Sequence, residues 1–398
     1  MEPMSEREQV ELLTGPEARG LLAAALGTAG AEIDSWAVHS LHHRPGAGVS
    51  VGYTVTVRAP DGGAQYVCAT TSRLTRTDSP GLVRLDRPDG RVTVHVWRHP
   101  HDPELPALPR ACDGVAMSEL TGEAVVPHMV AYRPTRRCVL RLEGGGMTRA
   151  YAKVVRPKVQ DELVRRHQLL AGAGVPVPRI LHSAPGGLVV IAPATGIPMA
   201  NFLAAGLTDP VTTLDAAVAV LDALPAEVLG LRRHPSWAER VEHYAHAAAT
   251  ALPERAGQAE AIARVVAHVM ETSDPGPVVP THGDYYEANI LLADPARVSS
   301  VLDVDAVGPG HRVDDLACLL GHVSVLPHLA PSVYPHVPAV LEEWWRRASS
   351  MADPRALAAR AAAVTLSLVA GAKRPAVEGW QVDARGRLDE AERWLGRA

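Results

Sequence analysis

The separation of secondary-structure signals along the chain constrains its fold more than any other sequence feature. The first 200 of the 398 residues contain short runs of alternating apolar and polar side chains bounded by Gly and Pro, a pattern typical of strands. From residue 201 onward the sequence is rich in alanine and indicates consecutive helices. We therefore expect an α+β protein whose strands and helices lie in separate regions.

The N-terminal region predicts a small α/β cap over residues 1–115. A helix near 16–27 precedes strands in the second half of 34–58, at 64–70, at 82–85 and at 92–97, which together suit an antiparallel sheet. The proline-rich segment 99–114 is typical of a connector, so we place a domain boundary near residue 115.

A second β-rich region, residues 116–196, predicts an N-lobe with the order strand, strand, helix, strand, strand. Turns are expected at Arg133-Pro134-Thr135 and at the three glycines 144–146. Residues 197–398 predict a helical C-lobe. Its helices are expected near 211–224, 236–252, 257–272, 314–325, 337–350, 354–370 and 388–396.

Composition excludes several classes of protein. The net charge of −5 and a pI near 6.4 provide no basic field for nucleic acid or an anionic membrane. The four cysteines are too far apart for a paired metal-ligand motif or a disulfide framework, and no run approaches 18 apolar residues. We expect a soluble cytoplasmic protein, monomeric or homodimeric, that acts on a small molecule.

One loop interrupts the helical half and carries the strongest chemical signal. Residues 282–289 are HGDYYEAN, and Asp303 follows Asn289 after fourteen residues at the end of a predicted hairpin. Phosphoryl transfer from a nucleotide needs a carboxylate at the acceptor hydroxyl and oxygen ligands for Mg²⁺. We therefore predict Asp284 as the catalytic base, and Asn289 and Asp303 as the metal ligands.

A lysine in the N-lobe completes this arrangement. Lys153 lies in the third predicted strand, and Glu162 follows nine residues later on the next helix. The chain has only three lysines among its 39 basic residues, so a retained lysine suits a position where a compact charge must reach between phosphates. Lys153 and Glu162 are predicted to bind the nucleotide.

These motifs resemble the aminoglycoside phosphotransferase and choline kinase-like superfamily. HGDYYEAN, then LDVDAVGPG, then Asp315-Leu316-Ala317 occur in the family's order across about residues 125–325. The resemblance implies a bilobal protein kinase-like fold, with ATP and Mg²⁺ as cofactors. It places the hinge at 187–199, with Ile191 as gatekeeper and the backbone of Ala192 and Ala194 facing adenine.

The sequence departs from the family pattern at two places. Ala and Pro replace the usual acidic and aromatic residues of the hinge, so adenine would be held by main chain and apolar contact. The turn 133–137, RPTRR, lacks the glycines of a protein kinase phosphate loop. Arg136 or Arg137 is a candidate phosphate contact, and solvated turn arginines are the alternative.

The N-terminal region more narrowly resembles the cap of actinobacterial maltokinase-like enzymes, including glucosamine kinases. That resemblance depends on RPG at 44–46, the alternating strand after it and DPELPAL at 102–108. It favours a sugar acceptor over a drug.

Several residues are predicted to bind that sugar. Asp305 would point to the same side of a strand as Asp303, and His322 lies seven residues after Asp315 on one helix face. The stretch 378–386, expected to be non-helical, offers Trp380 for stacking on a pyranose, Gln381 for hydroxyls and Asp383 for an amine. The alternatives are an Asp cap, a buried backbone-bonded His and a Trp that anchors the C-terminal tail.

The sequence therefore predicts an ATP-dependent sugar kinase that converts glucosamine to glucosamine 6-phosphate. Maltokinase and aminoglycoside phosphotransferase are the alternatives among enzymes. A nucleotide-binding pseudokinase or scaffold is the alternative from another class.

Overall fold

The structure is a computed structural model that describes residues 4–27, 32–43, 46, 48–58, 63–373 and 379–397. The chain divides into two compact units: residues 1–164 with 180–193, and residues 165–179 with 194–398. The first unit contains two five-stranded sheets, and the second is mainly helical. This segregation confirms the α+β class predicted from the sequence. Arg44 and Pro45 of the RPG motif lie outside the described residues.

The first unit is built from two antiparallel sheets and five helices. Its elements are α1 (Glu6–Thr14), α2 (Ala18–Gly27), β1 (Glu32–His43), β2 (Val49–Arg58), β3 (Ala64–Thr70), β4 (Val83–Asp86), β5 (Thr93–Arg98), α3 (Leu108–Cys112), α4 (Gly114–Thr121), β6 (Val126–Arg133), β7 (Arg137–Gly144), β8 (Met147–Val155), α5 (Pro157–Gly172), β9 (Ile180–Ala184) and β10 (Leu188–Ile191). The strand orders are β1-β2-β3-β5-β4 in the cap sheet and β6-β7-β8-β10-β9 in the N-lobe sheet. Helix α5 continues from this unit into the second.

Two hydrophobic clusters hold the first unit together. In one, leucines of α1 and α2 pack against inward valines of the cap sheet. In the other, Cys68 and Trp97 of the cap sheet pack with Leu105 and Leu108 of the connector and with Leu140 of the N-lobe sheet. The cap therefore shares a core with the N-lobe.

In the part that the structure describes, the second unit has eight further α-helices and five short strands. Its elements are β11 (Ile197–Pro198), α6 (Met199–Ala205), α7 (Pro210–Asp222), α8 (Val241–Ala251), α9 (Ala256–Thr272), β12 (Val278–Thr281), β13 (Ile290–Asp294), β14 (Arg297–Val301), β15 (Gly308–His311), α10 (Arg312–Leu329), α11 (Val337–Ala348), α12 (Pro354–Ser367) and α13 (Trp380–Leu395). Strand β12 pairs with β15, and β13 pairs with β14 and β11. The two pairings fix both ends of the segment that carries HGDYYEAN.

Side-chain caps explain where two of these helices begin. The carboxylate of Asp209 accepts the backbone N–H of Thr212 at 3.1 Å, and Pro210 occupies the first turn of α7. Asp353 accepts the N–H of Arg355 at 3.0 Å, and Pro354 opens α12. Both starts agree with the sequence prediction, because a capping Asp followed by Pro satisfies free N–H groups and pre-sets the backbone.

Helix α12 forms the centre of the helical unit. It is almost entirely buried and packs against α10 at Gly321, where an added Cβ would lie 2.8 Å from Val364. The segment Pro354–Ala372 is long and apolar enough to span a membrane, yet 72% of its apolar window is buried inside the protein, as in the core helix of a soluble protein. The close approach explains why α12 is so rich in alanine.

Replacing Gly321 tests this contact. Gly321→Ala should lower the free energy of unfolding by about 1–3 kcal/mol, because Val364 has to move away from the new methyl group. Gly257→Ala on the exposed face of α9 is the matched control, since nothing lies within 4 Å of its added Cβ. That variant should gain up to about 1 kcal/mol from helix propensity. Urea unfolding of the two variants checks this, and equal stabilisation of both would contradict the packing account.

Candidate active site

The HGDYYEAN loop turns sharply between β12 and β13. Gly283 has φ of 80°, and an added Cβ would lie 2.8 Å from the carbonyl oxygen of Ala306. Only glycine fits this position without strain, because it tolerates a left-handed backbone and lacks a side chain. The turn presents Asp284 at the end of β12.

A buried carboxylate at the start of α10 holds the loop in place. The side chain of Asp315 is fully buried and accepts the backbone N–H of His282 at 2.9 Å and that of Gly283 at 2.8 Å. Burial raises the pKa of Asp315 to about 6, although both N–H groups favour the ionised form. The Asp315-Leu316-Ala317 motif therefore anchors the HGDYYEAN loop through the Asp315 side chain.

His282 links the two halves of the site as a neutral imidazole. Its Nε2–H donates to the carbonyl of Leu302 at 3.0 Å, and its Nδ1 accepts the N–H of Asp284 at 3.3 Å. A carbonyl can only accept and an amide N–H can only donate, so these partners fix the tautomer. Burial lowers the pKa of His282 to about 4.

The two predicted metal ligands are Asn289 and Asp303. Asn289 is buried, and its Nδ2 donates to the backbone carbonyl of Asp284 at 3.0 Å, which leaves Oδ1 as the atom that can meet a cation. Asp303 adopts a left-handed conformation with φ of 54° and ψ of 53°. Such strain in a non-glycine residue is common at functional sites. An amide oxygen and a carboxylate suit Mg²⁺, so these residues fit the predicted metal.

Contrary to the sequence prediction, Asp305 does not lie on a strand with Asp303. Strand β14 ends at Val301, and Asp305 lies in a short 3₁₀ helix, Val304–Ala306, so the two-residue strand period does not relate it to Asp303. The left-handed Asp303 breaks the strand before that period can operate. Asp305 is nevertheless close to the site, since Asp303 and Asp305 both favour protonation of His282 electrostatically.

His322 lies next to the predicted base. Ligand atoms of Asp284, Cys318 and His322 are all within 4.8 Å of one another. Burial raises the pKa of the Cys318 thiol well above its usual value, so Cys318 stays protonated and is a poor metal ligand. Burial also lowers the pKa of His322 to about 3, so its ring is neutral near pH 7.

Aromatic side chains that the sequence did not single out surround His322. The ring of Tyr286 stacks on His322 with centroids 4.1 Å apart, and Trp237 meets His322 edge-on at 6.3 Å. Trp237 also contacts Tyr244 at 5.7 Å, and Arg240 lies over the Trp237 ring. We call Trp237, Tyr244, Tyr286 and His322 the aromatic shelf. No sequence spacing relates Trp237 to His322, because they meet only through folding.

The buried polar atoms that lack a hydrogen-bond partner among the described residues include Trp237 Nε1, His322 Nε2 and Glu287 Oε2. Glu287 is 6% exposed, and burial raises its pKa to about 7, with the charge of Asp284 adding to the effect. Unpaired buried polar atoms are costly, so a cluster of them beside a candidate base indicates a binding surface. Glu287 could have been recognised as a candidate site residue from the sequence, because it lies inside the HGDYYEAN motif.

The predicted nucleotide residues of the first unit lie on the N-lobe sheet and the helix after it. Lys153 is 8% exposed on β8, opposite Val139 of β7 and Val189 of β10. Glu162 is half-buried on α5. Ile191 ends β10 and Ala192 follows it, whereas the chain enters the second unit at Ala194.

Comparison with known proteins identifies the family. The sequence profile described as the phosphotransferase enzyme family matches residues 136–360, more than half of the chain. The chain belongs to the phosphotransferase enzyme family. No curated protein matches this phosphotransferase, so its narrower resemblance to maltokinase-like glucosamine kinases stays a prediction.

Three solved structures illustrate what this phosphotransferase is similar to, and the first of them shares its fold. The apo form of a thermostable mutant of aminoglycoside phosphotransferase APH(4)-Ia is 16% identical with a TM-score of 0.50, covering 71% of this chain and 98% of that chain. Macrolide 2'-phosphotransferase MphH from Brachybacterium faecium is 18% identical with a TM-score of 0.38, covering 69% and 95%. A choline/ethanolamine kinase family protein from Mesorhizobium loti is 15% identical with a TM-score of 0.43, covering 65% and 87%.

The structure corrects the prediction for the C-terminal stretch of this phosphotransferase. Residues 380–386 are helical, since α13 begins at Trp380, whereas Glu378 lies outside the described residues. Both carboxylate oxygens of Asp383 accept from Arg387, at 2.7 and 2.6 Å, and Lys373 lies 5.7 Å from the Trp380 ring. Gln381 is exposed. The i, i+4 pair of Asp383 and Arg387 stabilises the helix that the sequence interpretation overlooked.

The neutral state of His282 predicts a pH dependence of stability. Unfolded His282 binds a proton below about pH 6.5, whereas the folded residue stays neutral to about pH 4. The free energy of unfolding should therefore fall as the pH drops through this window, by up to about 1.4 kcal/mol per pH unit for this group. His282→Asn keeps an acceptor for the Asp284 N–H and should flatten the slope near pH 5 by about one proton.

Urea unfolding between pH 4.5 and 7 measures that slope. His42 and His322 also have lowered pKa values, so the variant should retain part of the dependence. An unchanged slope in His282→Asn would show that His282 is protonated in the folded state.

Proposed function

We propose that this protein is an ATP- and Mg²⁺-dependent kinase that transfers the γ-phosphoryl group to a hydroxyl of a small sugar. Glucosamine, giving glucosamine 6-phosphate, is the acceptor we assign. Membership of a phosphotransferase family supports the reaction class. The acceptor assignment depends on the residues beside Asp284.

The observation that carries the proposal is that one hydrogen-bonded unit contains the base and both cation ligands. Asn289 is bonded to the carbonyl of Asp284. His282 is bonded to the N–H of Asp284 and to Leu302, the residue before Asp303. A binding module has no need for an aspartate whose backbone N–H and carbonyl are both fixed in this way, which argues against the pseudokinase alternative.

Asp284 acts as the base in this reaction. The acceptor hydroxyl forms a bond to the γ-phosphorus, the bond from that phosphorus to the bridging oxygen of ADP breaks, and the hydroxyl proton passes to the Asp284 carboxylate. His282 is neutral and already bonded on both nitrogens, so it positions the loop and does not compete for this proton.

Asn289 and Asp303 would hold Mg²⁺, which when bound neutralises charge on the phosphate oxygens. Lys153 binds phosphate as a compact charge, and Glu162 orients it. Ile191, Ala192 and Ala194 contact the adenine ring. These roles follow from the family resemblance at the matching positions.

The aromatic shelf binds the acceptor ring. Aromatic faces suit the C–H face of a pyranose, and Trp237 Nε1 and His322 Nε2 offer hydrogen bonds to hydroxyls. Asp305 is close enough to the loop to contribute a further acceptor atom. The carboxylate of Glu287 takes the protonated amine.

This assignment moves the amine away from the C-terminal stretch. Asp383 already accepts two bonds from Arg387, so an amine would have to displace a partner that is itself buried. Trp380, Gln381 and Asp383 remain the sequence-based alternative. Activity should therefore be tested with glucosamine, glucose, maltose and kanamycin as acceptors. We also assign the protein to the cytoplasm, as a monomer or homodimer.

The first test replaces the base. Asp284→Asn should lower turnover by about 10²-fold or more while ATP binding stays within about twofold, since the amide cannot take the proton. Asp294→Asn, the same change on the outer end of β13, is the control and should behave as wild type. ATP consumption with each acceptor measures the effect, and near-normal turnover in Asp284→Asn would remove Asp284 from this role.

A second test separates the two candidate amine sites. Glu287→Gln should reduce catalytic efficiency for glucosamine relative to glucose by about 10- to 150-fold, the value of a hydrogen bond to a charged group. Asp383→Asn should leave that ratio unchanged. The reverse pattern would return the amine site to α13, and no change in either variant would exclude an amine-specific contact at both places.

A further inference from the structure

A buried polar cluster connects the N-terminal cap to the first hairpin of the N-lobe. Asp102 lies between β5 and α3 and is 3% exposed. Its Oδ2 accepts the hydroxyl of Tyr132 and the backbone N–H of Thr135, both at 2.7 Å, and its Oδ1 accepts the N–H of Glu104 at 2.9 Å. Two of these three donors belong to the β6–β7 hairpin and its turn.

The turn held by Asp102 has a strained backbone. Thr135 has φ of 63° and is 3% exposed. A β-branched residue in this left-handed region is strained, so it persists only where neighbours fix it. Here Asp102 binds its N–H and Arg156 donates Nε–H to its carbonyl at 2.6 Å. Thr135 is therefore held at both its backbone N–H and its backbone carbonyl.

Residues of the cap and connector also hold Arg156 and Tyr132, the two side chains that flank the turn. The carboxylate of Glu104, 4% exposed, lies 3.5 Å from Arg156 Nε and accepts the hydroxyl of Thr75 at 2.8 Å. Trp97 of the cap sheet donates its indole N–H to the Tyr132 hydroxyl at 3.2 Å. The shape of the turn thus depends on residues from four separate segments.

The register of the N-lobe sheet places this turn close to Lys153. Arg137 lies opposite Val155 and Val139 lies opposite Lys153. With a rise of about 3.3 Å per residue, Arg137, the first residue of β7 after the turn, lies about 7 Å along the sheet from Lys153. Arginines at 133, 136 and 137 make the same hairpin end strongly basic.

We propose that the cap positions a nucleotide-binding turn: Asp102, together with Arg156, holds residues 134–136 in the shape that receives the ATP phosphates. This inference rests on the proposed function, because it takes Lys153 as a phosphate ligand. The family match begins only at residue 136, so it assigns no role to the cap. Pro134 has no N–H, and the N–H groups of Thr135 and Arg136 are already bonded to Asp102 and to the Arg133 carbonyl. The turn would therefore meet phosphate through its arginine side chains, whose backbone is fixed without the glycines of a protein kinase loop.

The decisive experiment measures nucleotide binding separately from turnover. In the wild type, both oxygens of the Asp102 carboxylate accept hydrogen bonds, from three N–H or O–H donors in total. Asp102→Asn replaces one of these oxygens with an NH₂ group, which is itself a donor and cannot accept. It should weaken MgATP binding by about tenfold in titration calorimetry and raise KM for ATP equally, with KM for the acceptor unchanged. Tyr132→Phe is the matched control, because it loses bonds in the same cluster but keeps the bond from Thr135 N–H to Asp102. Its ATP affinity should stay within about twofold.

Arg156→Gln provides a second variant should Asp102→Asn fold poorly. Its control is Arg149→Gln on β8, the strand that ends just before Arg156, since Arg149 Nε–H donates to the carbonyl of Gly144 at 3.0 Å in the turn at the opposite end of the sheet. Arg156→Gln should weaken MgATP binding several-fold, and Arg149→Gln should not.

The outcomes separate this inference from the proposed function. Normal MgATP affinity in Asp102→Asn, or equal weakening in Asp102→Asn and Tyr132→Phe, would overturn the positioning role and leave the kinase intact. Weakening in Arg156→Gln alone would make Arg156 a direct phosphate contact and also overturn it. If the wild type binds MgATP but phosphorylates no acceptor, the proposed function fails while the same affinity series still decides the role of Asp102.

Discussion

The candidate active site depends on the buried carboxylate of Asp315. An acidic side chain is expensive to bury, and the backbone N–H groups of His282 and Gly283, together with the charge of Arg312, offset that cost. Those bonds set the direction of the loop, which determines where Asp284 emerges. His282 then extends the same constraint to Leu302, so the base and Asp303 are fixed by one continuous set of bonds.

Around this loop the protein uses neutral buried groups rather than charged ones. His282 and His322 both have strongly lowered pKa values, and the Cys318 thiol has a raised one. Other acidic groups lie nearby: Glu287, whose pKa is raised by burial, and Asp303 and Asp305, whose charges act on His282. Neutral rings and carboxylates therefore occur side by side around Asp284.

The two ends of the chain contribute in different ways. The cap shares a hydrophobic core with the N-lobe and reaches its first turn through Asp102 and Glu104, so its role is tied to the first unit. Helix α13 packs onto the helical unit, and its pair of Asp383 and Arg387 stabilises that packing. Asp383, a predicted binding residue, thus contributes to the structure of α13.

The sequence alone determined the fold class, the separation of strands from helices and the motif that holds Asp284, Asn289 and Asp303, because each depends on residues close together in the chain. Local periodicity also correctly predicted that His322 and Asp315 lie on the same helix, α10. Only the tertiary structure brought Trp237 and Tyr286 to His322, or Asp102 to Thr135, since these contacts join segments up to about 85 residues apart with no shared pattern. It also decided the two sequence errors. A left-handed Asp303 follows the end of a strand that alternation would have continued, and residues 380–386, expected to be non-helical, belong to α13, where Asp383 and Arg387 pair one turn apart.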